Sequence, residues 1–139
     1  MQDGKVASDA RLLSALPTIK HALEHGADVM VMSHLGRPRE NIPISHQPEF
    51  SLRPVVERLE LLSGLSFELV GDYLNGFVRG KADVAVLENV RINLGESTND
   101  RALSKCLAEL CDIFVMDAFA CAHRAHSSTT GIINYAPLS

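Results

Sequence analysis

Asp28-Val-Met-Val-Met-Ser-His-Leu-Gly-Arg37 combines an apolar run of four residues with a polar turn that ends in an arginine. A continuous apolar run is typical of a strand that is covered on both faces, as in a parallel sheet. Two later stretches have the same form: Asp83-Val-Ala-Val-Leu-Glu88, which continues to Arg91, and Asp112-Ile-Phe-Val-Met-Asp117, which continues to Arg124. The three runs predict three strands of one sheet.

The segments between these runs have the periodicity of helices. From Ser8 to His25, apolar residues recur three and four positions apart, with Ser8 or Asp9 as N-cap and Gly26 as the stop. Pro17 lies inside this segment and predicts a kink, or a break at which a second helix begins. Further elements are predicted as a helix over 51–62, a short strand over 67–70 and a helix from Asn99 or Asp100 to Leu110.

This alternation predicts an α/β fold, a Rossmann-like parallel sheet flanked by helices, because parallel strands need helical crossovers. Ligands of such sheets bind just beyond the carboxyl ends of the strands. The cationic side chains expected there are Arg37, Arg91 and Arg124, with His34 beside them and Arg11 from the first helix. They predict a pocket for a small, multiply anionic ligand such as a phosphorylated metabolite.

Each of these side chains also has an ordinary structural explanation. Arg91 can pair with Glu88 or Glu96 as a surface ion pair, which contributes little to stability. Arg11 can be a solvated residue on a surface helix, and Arg124 can bind a carbonyl or a carboxylate. His34 can be a hydrogen-bonded, partly buried histidine. The repetition of the pattern at three strand ends favours a shared site.

Composition limits the class of protein. The chain has 139 residues, of which 46% are hydrophobic and 22% charged, enough for one domain with a core. Its net charge of -4 argues against a nucleic-acid surface. No apolar run of membrane-spanning length and no secretory signal pattern is present, so we expect a cytoplasmic protein without membrane partners. The three cysteines form no C-x-x-C pair, and His123 and His126 lack a third ligand, so no metal site is expected.

Two alternatives remain open at this point. No phosphate loop, dinucleotide fingerprint or nucleophile elbow is present, so no nucleotide cradle is recognisable. Asp117 at a strand end is compatible with a flavodoxin-like signalling module in which this carboxylate accepts a phosphoryl group. The other alternative is a chain without affinity for any ligand.

Three segments resemble the signature segments of the phosphoglycerate kinase family. They are Ser33-His-Leu-Gly-Arg-Pro38, Leu87-Glu-Asn-Val-Arg91 followed by Gly95-Glu96, and Asp117-Ala-Phe followed by Ala122-His-Arg-Ala-His-Ser127. Ala15-Leu-Pro-Thr-Ile19 and Gly26-Ala27 fit as well, so the resemblance covers essentially the whole chain. Departures are Ile92, where an aromatic residue is usual, and Ala120-Cys121, where glycine and threonine are common.

The resemblance implies that residues 1–139 are part of the N-terminal domain, which binds 3-phosphoglycerate. It implies that the family's first strand, which carries an Asp and an Asn, and the whole nucleotide-binding domain are absent. Asp3-Gly4 is similar to the turn that follows that strand. The expected association state of a full-length member is a monomer.

The resemblance also implies residue roles. His34, Arg37, Arg91 and Arg124 match the basic patch that binds the substrate phosphate, and Leu35 and Gly36 lie in the same segment. Arg11 matches the arginine that reaches the acyl-phosphate end, a catalytic role. The implied reaction of glycolysis and gluconeogenesis is reversible phosphoryl transfer between 1,3-bisphosphoglycerate and ADP, giving 3-phosphoglycerate and ATP. Magnesium and the nucleotide would bind to the absent domain, so this chain is expected to hold no cofactor and to be inactive alone.

Overall fold

Three parallel strands form the centre of the computed structural model, which describes residues 6–139. Strands β1 (Val29–Met32), β2 (Phe67–Val70) and β3 (Val84–Leu87) lie in the order β1-β3-β2. Val29 and Phe67 both pair with Val84, so the three strands start level and their carboxyl ends share one edge. The predicted fold class is therefore confirmed, while the expected turn at Asp3-Gly4 lies outside the described residues.

Helices cover both faces of the sheet. Helices α1 (Ala10–Glu24) and α2 (Arg53–Ser63) pack on one face, against Val84 and Val86. Helix α3 (Arg101–Ala108) packs with Ile132 on the other face, against Leu87. Because side chains alternate along a strand, the apolar run of β3 supplies both cores and is buried throughout.

Most element boundaries agree with the sequence to within two residues. α2 begins at Arg53 and ends before Gly64, whose φ of 71° forms the left-handed cap. α3 begins after Asp100, whose carboxylate accepts a hydrogen bond from the Leu103 N–H at 2.9 Å. α3 ends at Ala108, two residues before the predicted end.

Helix α1 differs from the prediction at both its start and its middle. It is one continuous helix through Pro17, so no second helix begins there. Asp9 is the N-cap residue, but its side chain makes no cap hydrogen bond. Its carboxylate instead accepts from the Arg58 guanidinium at 2.9 and 2.6 Å, which ties the start of α1 to α2.

The predicted strand over 112–117 is wrong. The described residues contain only one parallel bridge there, between Ile113 and Leu138. Ile113 and Val115 are 60% and 62% exposed, so one face of the run lacks a packing surface. An apolar run becomes a strand only where a neighbouring strand supplies hydrogen-bond partners.

Strand β1 is only half-buried rather than covered on both faces as predicted, because it is an edge strand.

Arg79 joins the amino ends of the three strands. Its guanidinium pairs with Asp28 before β1 at 2.7 Å and with Glu68 of β2 at 2.6 Å. It also donates to the carbonyl of Asp83, before β3, at 3.4 Å. This residue is therefore neutralised within the molecule.

None of the helices in residues 6–139 is both long and apolar enough to cross a membrane.

Candidate functional site

The turn after β1 is shaped by Gly36. This glycine has a φ of +63°, and a Cβ at this position would lie 2.7 Å from the Phe50 ring. The positive φ and the contact with Phe50 are sufficient to require glycine at this position. The Gly36 carbonyl accepts from Arg91 Nη1 at 2.8 Å.

Asn89 connects the ends of β1 and β3. It is fully buried, and its Nδ2 donates to the carbonyls of Leu35 at 2.7 Å and Phe50 at 2.9 Å. Its Oδ1 accepts from the Arg91 N–H at 3.2 Å and so starts the short 3-10 turn Val90–Ile92. One amide side chain thus sets the relative positions of the turn after β1 and the backbone of Arg91.

Glu88 is not the partner of Arg91. Its buried carboxylate accepts from the Ser51 hydroxyl, the Leu52 N–H and the Asn89 N–H, each within 2.9 Å. These bonds satisfy the carboxylate and anchor the start of α2 to the end of β3. The ordinary explanation of Arg91 as an ion-pair partner of Glu88 therefore fails.

The predicted cations lie close enough together to shift one another's pKa values. The pKa of His34 is lowered to about 4, first by burial and then by the charges of Arg91, Arg124, His126 and Arg11. The pKa of Arg91 is lowered by burial and then by Arg124, with Arg37 contributing less. We call His34 and these arginines the basic cluster; its members are Arg11, His34, Arg37, Arg91 and Arg124.

His34 contributes no charge to the basic cluster at neutral pH. We expected a cation from the sequence, but a half-buried imidazole among arginines is stabilised in its neutral form. It then offers one hydrogen-bond donor and one acceptor rather than a charge. Its Nε2 lies 3.9 Å from the Sγ of Cys121.

The arginines of the basic cluster have no ion-pair partner in the described part of the chain. Within residues 6–139, no carboxylate oxygen lies within 4.0 Å of the guanidinium of Arg11, Arg37, Arg91 or Arg124. Arg11, Arg37 and Arg124 are exposed, and Arg91 is half-buried. Such a group is suited to charge-assisted hydrogen bonds with phosphate or carboxylate.

Two carboxylates border the basic cluster, and each is occupied by hydrogen bonds from the protein. Glu40 accepts from the Ser97 hydroxyl and from the N–H groups of Gly95 and Ser97, which lowers its pKa. Glu96 is 1% exposed, and burial raises its pKa despite hydrogen bonds from Ser128. The sequence analysis considered Glu96 as an ion-pair candidate and as part of a family signature segment, but not as a support of the cluster, and nothing in the pattern singled out Glu40.

His126 and Cys121 also adjoin the basic cluster, although neither was among the site residues named from the sequence. The pKa of His126 is lowered by burial and by Arg91 and Arg124. Their place beside the arginines depends on how the irregular segment after residue 117 folds, which no periodicity predicts.

The signalling alternative loses its structural basis. Asp117 is exposed and follows an irregular segment rather than a strand. Over residues 6–139 the structure also contains no group of three His, Cys, Asp or Glu side chains placed to hold a metal ion. The arrangement that remains is a cluster of arginines without carboxylate partners, beyond the carboxyl ends of β1 and β3.

Comparison with known proteins gives concordant results. A family model described as phosphoglycerate kinase matches residues 1–139. A phosphoglycerate kinase of Histophilus somni is 52% identical over 139 residues, which are 100% of this chain and 35% of the relative. One of Vibrio campbellii is 55% identical over 132 residues, covering 95% of this chain and 33% of the relative.

A solved structure agrees at the level of the backbone. The phosphoglycerate kinase of Coxiella burnetii superimposes with a TM-score of 0.89 at 48% identity, over 99% of this chain and 34% of that one. The chain therefore spans about a third of the length of the relatives that it matches.

Proposed function

The chain belongs to the phosphoglycerate kinase family, and from that premise we propose that it supplies the 3-phosphoglycerate-binding part of such an enzyme. The observation that carries the proposal is the convergence of arginines without carboxylate partners beyond β1 and β3. The reaction is the reversible transfer of a phosphoryl group between 1,3-bisphosphoglycerate and ADP. It yields 3-phosphoglycerate and ATP in glycolysis and runs in reverse in gluconeogenesis.

In this proposal, the basic cluster holds the phosphorylated end of the substrate. Arg37, Arg91 and Arg124 supply charge, His34 supplies a hydrogen bond, and Leu35 and Gly36 supply the backbone that shapes the turn. Arg11 faces the acyl-phosphate end, where its guanidinium stabilises the charge of the transferring group. Phosphoryl transfer depends mostly on positioning and on charge stabilisation, which these residues are equipped to supply.

The magnesium nucleotide is assigned to residues outside this chain. The described residues offer no cluster of metal-binding carboxylates, and the sequence has no phosphate loop, so they do not fit that ligand. The chain alone is accordingly expected to form no ATP from 1,3-bisphosphoglycerate and ADP in a coupled assay. The remaining parts of the proposal are a cytoplasmic location, a monomeric full-length enzyme and no nucleic-acid or membrane partner.

Titration of 3-phosphoglycerate into the chain tests the proposal. The measurement is calorimetry or NMR at low ionic strength on the unmodified chain, Arg124→Ala and Arg101→Ala. Arg101 is an exposed arginine at the start of α3, so its removal changes the net charge equally. We expect saturable binding that Arg124→Ala weakens by roughly tenfold or more, as for a lost charge-assisted hydrogen bond.

Two results would overturn the proposal. One is the absence of saturable binding in a sample that NMR shows to be folded, which would favour the alternative without ligand affinity. The other is equal weakening by Arg124→Ala and Arg101→Ala, which would mean that the anion responds to net charge rather than to the basic cluster.

A further inference from the structure

Glu96 is a buried carboxylate whose hydrogen bonds are made to one segment of the chain. It lies in the turn over 94–99 and is 1% exposed. Its Oε2 accepts from the Ser128 N–H at 3.1 Å, and its Oε1 accepts a short hydrogen bond from the Ser128 hydroxyl. The Nδ1 of His126 lies 4.0 Å from Oε1, which is too far for a hydrogen bond.

The backbone around Glu96 strengthens the same connection. The Ser127 N–H donates to the Glu96 carbonyl at 3.1 Å. The Ser127 hydroxyl donates to the carbonyls of Gly95 and Asp100, both at 3.1 Å. The turn over 94–99 and the start of the π-helix Ser127–Gly131 are therefore held together by side-chain and backbone bonds from both sides.

Hydrogen bonds continue from this junction to Arg124. Thr129 follows Ser128 directly, and its hydroxyl donates to the Arg124 carbonyl at 2.7 Å. The His126 N–H donates to the same carbonyl at 3.0 Å. A continuous path thus runs from the Glu96 carboxylate through Ser128 and Thr129 to the backbone of Arg124.

Arg91 and Arg124 are held in the basic cluster in different ways. Arg91 is fixed directly, because its side chain donates to Gly36 and its N–H to Asn89. Arg124 is exposed and lies in an irregular segment, where no regular helix or strand fixes its backbone. An arginine binds a phosphate well only when its guanidinium is held in the required geometry.

We propose that Glu96 is a positioning residue for the basic cluster, acting through Ser128 and Thr129 on the backbone of Arg124. Its contribution to anion binding comes from hydrogen bonds rather than from its negative charge, which would oppose an anion. This inference rests on the proposed function, because the ligand used to detect the effect is 3-phosphoglycerate.

The experiment compares Glu96→Gln, Glu96→Ala and the same alanine change in an Arg124→Ala background. Glutamine can accept from the Ser128 N–H and share a hydrogen bond with its hydroxyl, so Glu96→Gln keeps the path without the charge. We expect Glu96→Ala to weaken 3-phosphoglycerate binding by roughly tenfold and Glu96→Gln by less than about twofold. In the Arg124→Ala background, Glu96→Ala should have almost no further effect.

A second readout needs no ligand. Hydrogen exchange at the Arg124 and His126 amides should accelerate in Glu96→Ala but not in Glu96→Gln, while the amides of β3 stay protected. Unchanged exchange at these two amides, or equal losses of affinity in both Arg124 backgrounds, would overturn the proposal. If the unmodified chain binds no 3-phosphoglycerate, the proposed function fails, and the exchange data still decide whether Glu96 positions Arg124.

Discussion

His34 shows how the basic cluster controls the protonation of its own members. Its pKa of about 4 reflects burial first and then neighbouring cations. We predict that Arg91→Gln raises this pKa, because one of the opposing charges is removed. The measurement is an NMR pH titration of the His34 ring proton, with Arg101→Gln as the control that leaves it unchanged. No change in Arg91→Gln would contradict the arrangement described here.

The same pKa has a consequence for stability with a definite sign. The folded pKa lies below the ordinary value of 6.5, so the unfolded chain takes up the His34 proton first. The contribution of this residue is fully present above pH 6.5 and is lost as the pH falls towards about 4. Glu96 acts in the opposite direction, because its raised pKa means that the folded state is favoured by protonation of the carboxyl group.

Gly36 offers a test in which a second glycine is the matched control. Both Gly36 and Gly26 have positive φ, at +63° and +79°, but only a Cβ on Gly36 would meet a neighbour, the Phe50 ring. We predict that Gly26→Ala lowers the free energy of unfolding by about 1–2 kcal/mol, the cost of a left-handed alanine. Gly36→Ala should cost about 1–3 kcal/mol more through overpacking.

Urea unfolding of Gly26→Ala and Gly36→Ala measures the free energy of unfolding that each substitution costs. Equal losses of stability would mean that Phe50 moves away without cost. A larger loss in Gly36→Ala that is accompanied by weaker 3-phosphoglycerate binding would connect the shape of this turn to the basic cluster.

The sequence indicated that the arginines lie near one another but did not indicate which residues support them. Arg37, Arg91 and Arg124 follow apolar runs, so their common location could be anticipated, although their role in binding stays a prediction. Asn89, Glu40 and Glu96 could not be anticipated as supports, because their partners lie 32 or more positions away along the chain. Hydrogen bonds between residues far apart in the chain leave no periodic pattern in a single sequence.

Among the elements, helix α1 contains a proline, Pro17, whose effect on stability can be tested by substitution. The helix continues through this exposed proline, which cannot donate to the carbonyl of Leu13 in the preceding turn. We predict that Pro17→Ala raises the free energy of unfolding by about 1–3 kcal/mol, because alanine restores that donor and is the better helix former. Part of the gain is offset because proline also restricts the unfolded chain.

Urea unfolding of Pro17→Ala and Lys20→Ala checks this prediction. Lys20 is exposed on the same helix, and its replacement should change stability by less than about 0.5 kcal/mol. A loss of stability in Pro17→Ala would show that the proline fits α1 better than a continuous hydrogen-bonded helix would.

The elements also show why apolar runs predict strands unevenly. The runs over 29–32, 67–70 and 83–88 became strands because β3 lies between two partners and is buried on both faces. The run over 112–117 has the same composition but pairs only at Ile113. Composition indicates that a segment can pair, whereas the presence of a partner is a property of the whole fold.

At the scale of the whole molecule, the outer edge of β1 has no strand paired to it among the described residues. β1 pairs only with β3 among the described residues, and Ile113 and Val115 expose most of their apolar surface. Unpaired strand edges and exposed apolar side chains favour association between molecules. We therefore predict that the chain is marginally stable or self-associates as its concentration rises.

Analytical ultracentrifugation of Val115→Lys and Val78→Lys tests this prediction. Val115→Lys should reduce association, because a charge then lies on the exposed apolar run. Val78 is 95% exposed and lies away from that run along the chain, so Val78→Lys should have a smaller effect. A clean monomer with a sharp thermal transition in the unmodified chain would contradict the prediction.

Arg79 has a consequence for the approach of a ligand. It satisfies the acidic residues at the amino ends of the strands, while the arginines at the carboxyl ends keep their charge unmatched. The chain is negative overall, with a net charge of -4, yet its charge is unevenly distributed along the strand direction. If the proposed function holds, a dianionic ligand should be repelled by the net charge at long range and attracted by the basic cluster at short range. Salt screens charges beyond about 10 Å at 0.1 M, so moderate ionic strength should weaken the distant repulsion before it weakens the local capture.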